Sequence, residues 1–332
     1  MTTMYSNTLH KFTFVLLLTF LSTSLFAADT DLLTQYRKNG IKNIEKMLDK
    51  ELTQEIYWEN YLKNVDTTFG YFESYDNVLA CDKTNSKLCI YKKDDNNSYQ
   101  LKREYSAFTG KLQGDKEREG DLRTPIGIYD IVKKITKVDS FYGPMAFVTS
   151  YPNVFDKYKG KTGQGIWIHG LPMHQERDSF TKGCIAIDNT SIKCLDKNID
   201  INKTVLIIDK ELPEKQHSKK EFSTILSNLF AWRYAWIYND IESYLGFYAP
   251  EFKRFDGMDI EKFTKYKKRI FNKQEKKTII FNDINIIPYP ETDNVFKIKF
   301  KEKYRSPSFS FTGDKVLIVK LEKKHLYIIT EK

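Results

Sequence analysis

His169-Gly170 and the run Thr181-Lys182-Gly183-Cys184 set an imidazole and a thiol fifteen positions apart in this 332-residue chain. A thiol becomes a nucleophile when a base takes its proton, because an unperturbed cysteine titrates at about 8.5 and holds little thiolate at neutral pH. Both residues sit beside glycine. Gly170 lets the chain turn sharply, and its carbonyl can accept one imidazole N–H and so fix the tautomer of His169. Gly183 leaves the approach to Cys184 open, and the backbone N–H groups of Gly183 and Cys184 can face a developing oxyanion. The chemistry this pattern predicts is acyl transfer through a cysteine thioester. The same residues fit, on type alone, a buried core thiol in Cys184-Ile185-Ala186-Ile187 and a satisfied strand histidine. A metal centre drawn from His169, His174, Cys184 and Cys194 lacks the close pairing of most structural zinc sites, so neither a metal nor a cofactor is expected.

The elements that must hold this pair are short strands. Val78–Cys81, Leu88–Tyr91, Tyr105–Thr109, Ile126–Val132, Met145–Thr149, Ile166–Ile168 and Val205–Ile208 are apolar segments separated by Gly-, Asp- and Asn-rich turns. They predict a compact, mostly antiparallel β unit over residues 71–210. Cys194, in Ser191-Ile192-Lys193-Cys194-Leu195, reads as an inward-packing position of an amphipathic helix. Cys81 and Cys89 flank a polar turn, and a hairpin can bring them together as a disulfide in an oxidising compartment; two free thiols are the alternative.

On either side the pattern is helical. Ile41, Ile44, Met47 and Leu48, then Ile56, Tyr57, Tyr61 and Leu62, recur at helical spacing within residues 29–70. An arm that short buries little surface alone, and Tyr57, Trp58 and Tyr61 make it a candidate homodimer contact. After a linker at residues 211–220, Ser218 and Glu221 form a capping-box pattern, and Phe222 to Tyr244 carry an apolar helical face. A second helix is predicted over Ile260–Phe271, followed by strands at Thr278–Phe281, Val295–Phe300, Lys315–Val319 and Leu326–Ile329. Residues 221–332 thus read as an α+β domain, and the whole chain as an α+β multidomain protein.

The first 28 residues read as a leader. Lys11 precedes the apolar run Phe12–Phe26, which ends at Ala27-Ala28, as in a secretory signal peptide that would place the mature protein in the periplasm; an uncleaved anchor is the alternative. The formal net charge of +9 suits an anionic polymer such as a cell wall. Export disfavours nucleic acid as a partner, and the basic cluster from Lys262 to Lys277 reads as a solvated helix face.

Residues 71–210 resemble the YkuD-type L,D-transpeptidase catalytic domain. The resemblance is carried by His169-Gly170, Thr181-Lys182-Gly183-Cys184, the box from Gly120 to Tyr129, Thr109-Gly110, Tyr151-Pro152-Asn153, and Gly165-Ile166-Trp167-Ile168. It implies that Cys184 is the nucleophile and His169 the general base and acid. It further implies that the Gly170 carbonyl orients His169, that the Gly183 backbone helps to hold the oxyanion, and that Thr181, Lys182, Trp167 and Ala186 face a peptidoglycan stem peptide. Two positions depart from the family pattern: Lys182 stands where His is usual, and Ala186 where Arg or Asn is usual.

Trp232-Arg233-Tyr234-Ala235-Trp236, Asp240, Tyr244 and Tyr248 resemble the first helices of NTF2-like domains. That fold has a pocket, which Trp232, Trp236 and Tyr248 either line or underlie as core; its ligand or partner is not specified. The four parts together resemble the cell-shape-determining L,D-carboxypeptidases of helical epsilonproteobacteria. This implies removal of terminal D-Ala from tetrapeptide stems at the meso-diaminopimelate–D-Ala bond. The alternatives are an L,D-transpeptidase that makes 3–3 cross-links or uses another amine acceptor, and an inert wall-binding scaffold.

Overall fold

The computed structural model describes residues 31–174, 178–211 and 217–332; the expected leader lies outside them. Two compact units are present, one ending at Leu52 and the other spanning Thr53–Lys332. The first contains helix α1 (31–51). Among the described residues, no helix is long and apolar enough to cross a membrane.

The second unit opens with α2 (Glu55–Tyr61), then runs β1 (Tyr71–Phe72), β2 (Asn77–Asp82), β3 (Lys87–Lys93), β4 (Tyr99–Ser106), β5 (Gly127–Ile135), β6 (Ala146–Thr149), α3 (Val154–Tyr158), β7 (Trp167–His169), β8 (Ile185–Ala186), α4 (Asn189–Asn198) and β9 (Thr204–Asp209). The C-terminal part has α5 (Lys219–Ile237), α6 (Ile241–Leu245), α7 (Ile260–Phe271), β10 (Thr278–Pro288), β11 (Val295–Arg305), β12 (Ser310–Glu322) and β13 (His325–Glu331). One sheet has the order β4-β3-β2-β9-β5-β6-β7-β8 and the other β1-β10-β11-β12-β13. The first of these sheets is mixed: β2 pairs with β9, and β7 with β8, in parallel.

Strand alternation divides the first sheet between two cores. Leu79, Cys81, Leu206 and Ile208 face one way, onto Tyr129, Ile168, Ile185, Ile192 and Leu195. Val78, Val205 and Ile207 face the other way and share a core with Ile287, Tyr289, Ile318 and Ile329 of the second sheet. β1 joins the same boundary by pairing with β10. Asp130 adds a polar tie, reaching Lys299 at 3.0 Å and Lys297 at 3.4 Å. Burial works to raise its carboxyl, but the two lysines and the Tyr75 hydroxyl hold it well below the usual carboxylate range.

One open alternative is decided at this level, and two expectations change. Cys81 is registered with Leu88 and Cys89 with Ala80, so the two thiols point to opposite faces of the β2–β3 hairpin and both are free. Trp58 is not an exposed aromatic: it is buried and stacks on Phe230 of α5 at 5.1 Å, while Tyr57 and Tyr61 stay exposed. The helix starting at Lys219 carries the expected Ser218–Glu221 capping box, but it stops at Ile237. Asn239 there takes a left-handed φ of 61°, and Asp240 caps α6 anew.

Candidate active site

His169 closes the short strand β7, buried between β6 and β8. Its carbonyl accepts from Ile187 N at 3.0 Å, and Gly170 N donates to the Tyr142 carbonyl at 3.0 Å. The ring Nδ1 lies 2.7 Å from the Gly170 carbonyl oxygen. A carbonyl only accepts, so Nδ1 carries the proton and Nε2 keeps its lone pair, the form a general base requires. Tyr142 packs edge-on against the imidazole at 5.0 Å and also contacts Trp167 at 5.2 Å, forming an aromatic wall beside the base.

Cys184 immediately precedes β8, the strand paired with β7, and is half-buried. Its Sγ lies 3.5 Å from the Gly165 carbonyl. The turn carrying it is shaped by Thr181, whose hydroxyl donates to the Cys184 carbonyl at 2.7 Å and accepts from Gly183 N at 2.9 Å. Gly183 has a φ of +138°, and a Cβ there would fall 2.9 Å from the Arg123 carbonyl oxygen, so only glycine fits without strain.

The segment between Gly110 and Thr124 braces this turn. Thr181 N donates to the Thr109 carbonyl at 2.7 Å and Lys111 N to the Thr181 carbonyl at 3.1 Å, while Gly110 N donates to Thr124 Oγ1 at 2.8 Å. The buried Lys83 ammonium donates to the Thr124 carbonyl at 2.6 Å and to that of Gly114. Asp121 pairs with Lys116 at 2.7 Å and accepts from the N–H groups of Glu117, Arg118 and Arg123. Burial works to raise its carboxyl; these partners hold it well below the usual range. The box from Gly120 to Tyr129 is therefore scaffolding for the cysteine turn.

The residues expected to face substrate separate into two groups. Lys182 is exposed and Trp167 half-buried, two positions from Cys184 and His169 respectively. Thr181 is buried, with its hydroxyl committed to the turn. Ala186 is fully buried and exchanges backbone hydrogen bonds with Phe108 at 2.8 and 2.9 Å, so it offers no substrate surface. The Gly183 N–H is likewise held by Thr181 and is not the oxyanion donor expected from sequence. Two residues around the base were missed. Tyr142 gave no periodic signal, and Asn189 was hidden in the Asp188-Asn189 helix start. Among the described residues, no group of three or more His, Cys, Asp or Glu is placed to hold a metal ion.

In the C-terminal part, Trp232 and Tyr248 belong to the core, whereas Trp236 borders a cavity of about 640 Å³ with Tyr266, Lys267, Glu302, Tyr304 and Lys315.

Residues 76–207 match the model of the L,D-transpeptidase catalytic domain, YkuD, and residues 224–332 match that of the Cds6 C-terminal NTF2-like domain. The crystal structure of the helical cell shape determining protein Pgp2 from Campylobacter jejuni is similar at 37% identity and a TM-score of 0.77, covering 85% of this chain and all of that one. Bd1075 of Bdellovibrio bacteriovorus is similar at 27% identity and a TM-score of 0.64, over 80% of this chain and 96% of that one. The Escherichia coli protein named "Putative L,D-transpeptidase YafK" is 34% identical over 96 residues, 28% of this chain. The matched stretch spans about a third (35%) of that relative's own length.

Proposed function

The chain belongs to the L,D-transpeptidase family, in the form that joins a YkuD catalytic domain to an NTF2-like domain, and from that membership we propose a peptidoglycan L,D-carboxypeptidase that works through a Cys184 thioester and shapes the cell. The observation that carries the mechanism is the 2.7 Å contact of His169 Nδ1 with the Gly170 carbonyl, which leaves Nε2 basic on the strand next to Cys184. Nε2 takes the thiol proton, and Sγ attacks the carbonyl between the L-centre of meso-diaminopimelate and D-Ala. The Cys184 N–H stabilises the tetrahedral oxyanion. Collapse breaks the C–N bond, and His169 returns its proton to the departing D-Ala amine. Water, deprotonated by His169, then hydrolyses the thioester to a tripeptide stem and restores the thiol. Lys182 and Trp167 supply the substrate-facing surface, with Lys182 suited to a carboxylate of the stem.

Water and a second amine compete for the same acyl-enzyme. The similarity to a cell-shape protein along nearly its whole length favours water. The test is to incubate the mature protein with purified tetrapeptide muropeptides and resolve the products by mass. Loss of D-Ala with no new dimer is expected, and Cys184→Ala abolishes it. Accumulation of 3–3 dimers would move the protein to transpeptidation, and no turnover at all would make it a wall-binding scaffold.

The same reading places the protein in the periplasm behind its leader. Residues 29–70 then serve self-association, with the exposed Tyr57 and Tyr61 as the available aromatics. Replacing Tyr57 and Tyr61 with serine lowers the molar mass by light scattering to that of a monomer; an unchanged assembly state counts against this role. The NTF2-like domain takes a ligand or partner of its own.

A further inference from the structure

We propose that Asn189 is a positioning residue for the catalytic histidine, holding the one peptide unit whose carbonyl orients the imidazole. This rests on the acyl-transfer reading of His169 and Cys184. Asn189 is the first residue of α4, immediately after its N-cap Asp188. Its Oδ1 accepts from Leu171 N at 2.9 Å. Leu171 N and the Gly170 carbonyl belong to the same planar peptide group and point in opposite directions across it. Fixing the N–H therefore fixes the carbonyl, and that carbonyl is the one 2.7 Å from His169 Nδ1.

The neighbouring backbone is pinned as well, which makes this peptide the last variable. His169 O is held by Ile187 N and Gly170 N by Tyr142 O, each at 3.0 Å. With those set, only rotation of the Gly170–Leu171 peptide remains to turn the carbonyl away from the ring, and Asn189 opposes that rotation. The local sequence makes room for the amide. A Cβ on Gly170 would lie 2.3 Å from Asn189 Oδ1, and one on Gly143 would lie 2.4 Å from it. Both glycines are thus explained by one side chain that reaches between them. The chain Asn189 Oδ1···H–N–C=O···H–Nδ1 also polarises each link, so the acceptor strengthens the bond that keeps the proton on Nδ1 and leaves the Nε2 lone pair aimed as the base.

The test compares Asn189→Ala with Asn189→Asp, which keeps an oxygen acceptor at the same place. In Asn189→Ala we expect kcat for D-Ala release to fall about ten- to a hundredfold with KM unchanged, the range seen when partners that orient active groups are removed. In the same variant, the pH midpoint of Cys184 alkylation by iodoacetamide, followed by intact mass, shifts upward toward the ordinary thiol value of about 8.5. Asn189→Asp retains most of both properties. If Asn189→Ala fails to fold, Asn189→Ser, whose hydroxyl falls short of Leu171, takes the same measurements. A folded Asn189→Ala protein with unchanged kcat and midpoint overturns the proposal. So does an Asn189→Asp protein as impaired as Asn189→Ala, because packing rather than the acceptor would then be responsible. Alkylation needs no substrate, so the two readings fail separately: a wild-type midpoint at the ordinary thiol value would count against the His169–Cys184 pair itself.

Discussion

The His169 imidazole is oriented through a main-chain carbonyl, whereas the Lys267 ammonium lies among other side chains. The imidazole is set by the Gly170 carbonyl, and its backbone by Ile187 and Tyr142. Lys267 instead lies over the rings of Trp236 at 4.8 Å, Tyr244 at 5.1 Å and Phe263 at 5.1 Å. Nearby, Lys315 pairs with Glu331 at 3.2 Å, and Tyr248 donates to the same carboxylate at 3.1 Å. Backbone partners are fixed by strand register and turn geometry, so they can aim one atom. Side-chain partners can rearrange together, which suits a cavity wall but not a base that must meet a thiol. Glycine recurs along that main chain, where a Cβ on Gly183 would meet the Arg123 carbonyl and one on Gly143 or Gly170 the Asn189 amide.

The largest break in this contrast should come from a side chain that behaves like backbone. The Thr181 hydroxyl bridges the Cys184 carbonyl and the Gly183 N–H within one turn. Thr181→Val keeps the shape, removes both bonds and leaves the buried Gly183 N–H without its acceptor, a loss of about 1–3 kcal/mol. We expect kcat to fall about a hundredfold, with Thr181→Ser restoring most of it. Steady-state release of D-Ala by the three proteins checks this. A fully active Thr181→Val would mean that the cysteine turn is held by its bonds to Thr109 and Lys111 alone.

The same contrast governs what could be read from sequence. Strand positions and the α7 bounds Ile260–Phe271 were legible because periodicity is local. Tyr71–Phe72 was not: it looks like the start of the catalytic unit, yet it pairs with Asn285 and Ile286, more than two hundred residues away. Whether Cys81 and Cys89 pair stayed open in the sequence, because it turns on a register offset of one residue, which composition does not encode. At the site, residue types named the thiol and the base, but not the direction of the N–H at Gly183. That direction depends on which way the Thr181 hydroxyl turns. Ala186 looked like a specificity position because of its place after Cys184, and strand pairing with Phe108 buries it. Asn189 acts across eighteen residues of sequence, through a backbone contact that leaves no pattern in the chain.

The smaller test addresses the side-chain-partnered region. Burial pushes the Lys267 ammonium down to about 8, against the pull of Glu331. In the unfolded chain it titrates at its ordinary value, near 10.4. Between those two pH values the unfolded state binds more protons than the folded one, so Lys267 makes stability rise with pH across that window. Below about pH 8 the ammonium is charged in both states, and the full burial cost is present. Lys267→Met removes this rise, and it also takes one cation from Glu331 while leaving Lys315 in place. Thermal melts of the two proteins between pH 7 and 10 should therefore diverge. The variant loses about 2 to 3 kcal/mol of stability relative to wild type as pH climbs through the window. Release of D-Ala by the same variant should stay near wild type, since no main-chain group that aims His169 depends on it. Parallel melting curves would mean that Lys267 is solvated in the folded protein. A collapse of D-Ala release would mean that the two regions are coupled, through the shared core of Ile287, Tyr289 and Ile318, far more tightly than their separate bonding suggests.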